Sequence, residues 1–269
     1  MPAWKHESPK RSAGPSSGKD FSREGGPVAG KPGGHVVTLT SSQLEGVLRE
    51  LVERRLEPPA REWLARTSAA VGAEPGRGAF LEAFAAATRR LGRARLSPTE
   101  EEIARLASAG VSWPIGNWEA GELGRLTLLI SAAAHWPEGE LEALVEEAYR
   151  QGDGAERQAV LRALPLLPVP ERFLGIAVDA CRSHIQPLFD AIACENPYPA
   201  RHFPELNFNQ LVLKALFTGV ALSRILAFEG RVTPELSRMA ADYASERRAA
   251  GRSVPPDIGR LTGEKGNQP

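Results

Sequence analysis

Few residues in this chain have the types and spacing that chemistry needs. Cys181 and His184 stand three apart, the one local thiol–imidazole pair, and such a pair can activate a thiolate. Gly14-Pro15-Ser16-Ser17-Gly18 matches the pattern of a nucleophile elbow, but no strand precedes it and no helix follows. His184, Asp190, Glu195 and His202 are the metal-type ligands that fall closest together. The five histidines form no pair four apart, and the chain has no HExxH, no Glu-x-x-His and no CxxC. No glycine-rich loop has Walker or dinucleotide spacing. The reading is therefore no catalytic residue, no metal site and no cofactor.

The unusual polar residues gather between His184 and Gly219, and helices must position them. Ile185, Leu188, Phe189 and Ile192 recur as one core face. Asn196-Pro197-Tyr198-Pro199 then stops that helix, because proline removes a donor and forces extended backbone on the residue before it. Phe208, Leu211, Val212, Ala215 and Leu216 form the core face of a second helix, apolar over so much of its circumference that a central position is expected. Asn207, Gln210, Lys214 and Thr218 fall on one side of it. A buried ammonium requires a partner, and Asp190 or Glu195 is the expected one for Lys214. Asn207 or Asn209 is expected to satisfy backbone at the NPYP turn. The candidate ligand- or partner-binding set is Asp190, Glu195, Asn196, Tyr198, Asn209, Gln210 and Lys214.

The rest of the chain reads as helix after helix. Ser42-Gln43-Leu44-Glu45 fits a capping box, and Ser97-Pro98-Thr99-Glu100 a second helix start with Ser97 as N-cap. Ile103, Leu106 and Ala107 give the helix after it a core face. In VSWPIGNW, Trp113 and Trp118 are expected to plug a gap between helix pairs. No stretch alternates apolar and polar residues over strand length. The fold class is all-α, with about a dozen helices joined by short turns. An irregular stack of antiparallel helical hairpins, α-solenoid or HEAT-like, is the first choice, and a compact multi-helix bundle the alternative. Residues 1–36, rich in Gly, Pro and Ser, read as a disordered tail, 37–263 as a single helical domain, and 264–269 as a frayed tail.

Composition excludes broad classes. The formal net charge is +0 across 269 residues, so no basic face for nucleic acid is expected. Two cysteines are too few for a disulfide framework, which points to a reducing compartment. The start, MPAWKHESPKRSAG, lacks the apolar run of a secretory signal, and the apolar run Leu126–Ala134 is far short of the ~20 residues that span a bilayer. A cytoplasmic location without a membrane span is expected.

The segments ENPYPARHFPE, NQLVLKALFTG and RVTPELSRMAADYASERRAAGRSVPP, with LPLLPVPERF upstream, resemble the EboA family of bacterial proteins. The likeness runs from Leu39 to Leu261 and is tightest from Pro165 to Pro256. It implies an all-helical accessory scaffold or carrier without its own catalysis, serving the traffic or biosynthesis of a secondary-metabolite precursor. Implied partners are proteins of the same gene cluster or a small metabolite. The alternative is an enzyme acting on an isoprenoid- or cyclitol-like intermediate, with Asp190, Glu195 and Lys214 converging near the NPYP turn. The family supplies no catalytic residues to carry over. Ser245 and Arg248 stand where relatives carry His and Trp in DYAHERW, and Phe208 replaces Trp before the NQ pair.

Overall fold

The computed structural model describes residues 40–73 and 76–263. The tails expected at 1–36 and 264–269 lie outside the described residues. Among those described there are 13 α-helices and no strand, as the absence of alternating patterns requires. They are α1 Ser41–Glu53, α2 Pro58–Ala73, α3 Arg77–Leu91, α4 Glu100–Ser108, α5 Ala120–His135, α6 Glu138–Gln151, α7 Gly154–Ala163, α8 Leu174–Arg182, α9 Gln186–Ala193, α10 Tyr198–His202, α11 Glu205–Thr218, α12 Pro234–Ala249 and α13 Gly259–Thr262. Short 3-10 turns link several of them, including Leu164–Leu166 and Pro170–Phe173 across the proline-rich connector.

The central helix is α5, not α11. Twelve of its 16 residues are buried, and α1, α2, α3 and α7 pack around it. Its sequence explains this: Leu123, Leu126, Leu128, Leu129 and Ile130 cover most of the circumference, and Gly121 and Gly124 leave room for a close neighbour. That neighbour is α3; a Cβ on Gly121 would stand 2.7 Å from Thr88 Cα and 2.9 Å from the Gly92 carbonyl oxygen. The polar groups of α5 find backbone partners. Thr127 donates to the Leu123 carbonyl and Ser131 to that of Ser68, while the following Trp136 donates its indole N–H to Val71. Helix α11, by contrast, leaves Leu206 and Phe217 more than half exposed. Its apolar circumference serves partly as a surface, with Phe217 edge-on to Tyr243 of α12.

The start of α5 is fixed by a short antiparallel pairing of connections. Leu96 N–H donates to the Trp118 carbonyl, Ala120 N–H to Ala94 and Gly121 N–H to Gly92. Trp113 and Trp118 are both buried there. Two helix starts differ from the sequence reading by two residues. Thr40, not Ser42, caps α1 in a reciprocal box with Gln43, and Thr99, not Ser97, caps α4 with Glu102. In each stretch the S/T-x-x-E/Q spacing occurs in more than one register, and only one register leaves the core residues inward. Ile103 and Ala107 of α4 consequently face outward, and only Leu106 of the three is buried.

Glu102 is itself buried, and Arg55 holds it with two hydrogen bonds of 3.0 and 2.6 Å. The Arg55 bonds bring its carboxyl down to about 2, burial opposes this, and the Thr99 N–H helps to lower it. The folded-state value lies below the unfolded value of about 4.3, so the stability this gives is complete above that value. It is lost as pH falls towards about 2. Glu102→Gln should flatten the fall in urea midpoint between neutral and acid pH; an unchanged slope would remove Glu102 from the acid response.

Candidate functional site

The seven candidate residues separate into three groups. The first is an ion-paired corner. Glu195 sits at φ 48°, a left-handed backbone uncommon for a residue with a Cβ. It is held there by Arg224, whose guanidinium makes two bonds of 2.8 and 2.9 Å to its carboxylate and whose carbonyl accepts the Glu195 N–H at 2.8 Å. Asp190 lies 3.8 Å from the same guanidinium and accepts from Gln186 at 2.6 Å. Both acids therefore face Arg224, not Lys214 as the sequence suggested.

The second group is buried structure. Asn196, and not Asn207 or Asn209, satisfies the start of the NPYP turn. Its amide donates to the carbonyls of Leu161 and Ala191, each at 3.0 Å, and its side-chain oxygen accepts the Tyr198 N–H at 2.9 Å. Tyr198 is wholly buried and donates its hydroxyl to Pro170 at 2.7 Å, tying NPYP to the PVPERF connector. Asn209 is buried with its side-chain oxygen unbonded.

The third group forms a cleft between α8 and α11 of about 340 Å³. Gln210 and Lys214 line it with Asn207, and the apolar part comes from Val178, Phe203 and Leu211. Lys214 is half-buried, and the polar stripe runs along the groove from Asn207 to Lys214, with Thr218 exposed beyond it. Its ammonium donates to the carbonyls of Cys181 and Ser183 at the end of α8 and lies 4.7 Å from the centre of the Phe189 ring. A cation there meets the negative end of the α8 dipole. Two of the three ammonium donors are thus used by the fold, and one remains. Burial lowers the pKa of Lys214. Arg182, exposed at the end of α8, is the second cation of the cleft, and no carboxylate lines it.

The chemistry considered for the other residues does not assemble. Burial pushes the Cys181 thiol up to about 12, so it stays protonated beside an exposed His184. His202 lies on the Tyr198 ring at 4.8 Å, and burial lowers its pKa. Among the described residues no three His, Cys, Asp or Glu side chains are placed to hold a metal ion. Ile185, expected in the core, is 53% exposed because it precedes α9 as its N-cap instead of lying within it.

Arginines carry what the sequence reading missed. Arg224 organises both acids, and Arg231 binds the end of α10 through the carbonyls of Ala200 and Phe203, with its guanidinium 4.5 Å from the centre of the Phe208 ring. Arg231 opens RVTPEL, so it fastens that segment to NPYPARHF. Neither arginine has a helical register with its partners, and each lies roughly thirty residues away from them, so spacing gave no signal.

These contacts join LPVPERF, NPYPARHF and RVTPEL into one region, and Phe217 on Tyr243 joins NQLVLKALF to the helix that RVTPEL opens. The family described as metabolite traffic protein EboA matches residues 44–263. The chain belongs to the EboA family. No curated protein and no solved structure gives a match. In this EboA-family chain the signature segments thus supply Glu195 of the corner and one wall of the α8–α11 cleft, while Asp190 and Arg224 lie outside them. No helix among the described residues is long and apolar enough to cross a membrane.

Proposed function

We propose that this EboA-family chain is a carrier or scaffold for a small metabolite, held in the α8–α11 cleft and released without chemical change. The observation that carries this reading is the lining of the cleft. Two cations and two side-chain amides, Lys214, Arg182, Asn207 and Gln210, converge over an apolar floor, with no carboxylate to repel an anion or to move a proton. A few convergent polar groups over apolar surface in a volume of a few hundred Å³ is the usual make-up of a small-molecule site. The ligand that fits has an anionic head and an apolar body. The family description, metabolite traffic, agrees with binding as the task. The enzymatic alternative needs Asp190, Glu195 and Lys214 in one pocket, whereas Arg224 holds the two acids.

The test is native mass spectrometry of the protein purified from its own host, with extraction of whatever is bound. A small anionic molecule, unmodified after incubation, is the expected result. Gln210→Ala, at an exposed position outside the fold's hydrogen bonds, should cut occupancy at least tenfold, and Lys214→Met more. A protein that carries no small molecule, or whose occupancy ignores both substitutions, would refute the cleft as the site.

A further inference from the structure

A separate cleft, of about 200 Å³, opens between α3, α5 and α7. Its lining is almost wholly polar, and three of its residues are arginines. Two of these have carboxylate partners within the cleft: Arg162 donates to Glu122, and Arg93 to Glu119 at 3.4 Å.

Arg125 is different. It is 2% exposed, in the middle of the central helix. Its guanidinium donates to neutral oxygens, the Phe84 carbonyl at 2.8 Å, the Thr88 hydroxyl at 2.8 Å and the Ala85 carbonyl at 3.4 Å. It also lies 5.6 Å from the centre of the Phe84 ring. Glu156 forms an ion pair with it at 3.7 Å, longer than a hydrogen bond. Removing a charge from water is costly unless a counter-charge is well bonded to it. A helix as tightly packed as α5 would bury an apolar side chain at this position at less cost. The retained guanidinium lines a cleft that holds water-sized space and further donors: Arg162, Arg93, the Thr88 hydroxyl and the amides of Asn117 and Gln158.

We propose that this cleft binds the phosphate group of a small phosphorylated molecule, with Arg125 and Arg162 beneath it. Guanidinium forks match phosphate oxygens two at a time. The donors come from α3, α5, α7 and the connection before α5, so they approach from several sides. A tetrahedral phosphate has oxygens for each side, whereas a carboxylate satisfies a single fork. The volume admits a phosphate on a short polar body and excludes a long chain. Glu119 and Glu122 share the lining, but Arg93 and Arg162 each hold one of them, and Arg125, paired to Glu156 only at 3.7 Å, keeps its hydrogen bonds on neutral oxygens that a phosphate can supplement. The site is distinct from the α8–α11 cleft and does not depend on it.

Calorimetric titration of the full chain at low salt tests this, with glycerol 3-phosphate as the probe and inorganic phosphate, glycerol and acetate beside it. Saturable one-to-one binding of glycerol 3-phosphate is expected, with no binding of glycerol or acetate. Binding of inorganic phosphate locates the recognition in the phosphate group alone; its failure to bind shows that the organic body contributes, and either result supports the site. Gln158→Glu places a carboxylate in the cleft, gives up only the exposed hydrogen bond to the Gly154 carbonyl, and should weaken binding about tenfold or more while the chain stays folded. Arg125→Lys keeps the charge, loses the fork and should weaken it too; if that variant fails to fold, Gln158→Glu still decides. Lys214→Met should leave this binding unchanged. Absence of saturable binding at millimolar probe, equal binding of acetate, or wild-type affinity in Gln158→Glu would overturn the proposal.

Discussion

Asn196→Ala is expected to destabilise the protein by about 3 kcal/mol, since three buried hydrogen bonds go at once and each stranded group costs roughly 1–3 kcal/mol. The side chain is 3% exposed and bonds Leu161 of α7, Ala191 of α9 and the Tyr198 N–H of its own turn. It therefore joins two helices to the turn between α9 and α10, and water cannot replace it without opening the core. Asn196→Asp sharpens the test. The carboxylate keeps the acceptor for Tyr198 but sets a negative charge against two carbonyls, so it should be no better than alanine. Tyr198→Phe loses only the bond to Pro170 and should cost about 1 kcal/mol. Chemical denaturation would show the order. An Asn196→Ala variant within 0.5 kcal/mol of the parent would mean the turn is held by its prolines alone.

Gly121→Val should cost about 3 kcal/mol, at the upper end of what overpacking a well-filled interior does. The loss corresponds to a thermal midpoint lower by roughly 6–12 °C for a domain of this size. The reason is the identity of the obstacle. A Cβ at Gly121 meets Thr88 Cα and the Gly92 carbonyl, both backbone, so α3 must move as a body. At Gly124 the added carbon meets the end of the Leu91 side chain, which can turn away. Gly124→Ala should thus cost less than half as much. Differential scanning calorimetry of the two variants compares them directly, and equal losses would count against the close α3–α5 approach as the constraint.

The helices were legible because their signals are local. The apolar face of α11 and the prolines that follow α9 act within a turn or two of the residues they affect. Register was less legible where a motif repeats. The stretch Thr40-Ser41-Ser42-Gln43 offers a cap in more than one position, and the inward direction of Leu44 and Leu48 chooses between them. The outward turn of Ile103 has the same origin, since α4 covers the core with Leu106 and leaves Ile103 beside a surface groove near Trp113.

The candidate site was legible in part. Gln210 and Lys214 do line a cleft, and Asn196 and Tyr198 hold the signature turn together through buried hydrogen bonds. The partner of Lys214 was misassigned because a cation can be satisfied by carbonyls at a helix end as well as by an acid. Backbone carbonyls are present everywhere in a sequence and so give no sign of which one will serve.

By its composition and periodicity the sequence determined an all-helical chain, the boundaries set by proline and glycine, and its family, which its signature segments mark. Tertiary structure alone decided that α5 is the centre, that Arg224 takes both acids, that Arg231 fastens RVTPEL to NPYPARHF, and that Arg125 is buried beside a polar cleft. The physical reason is range. Helix formation depends on residues within four of one another, whereas ion pairs, buried polar contacts and clefts depend on which distant segments pack together, and a side chain's partner is fixed only when they do.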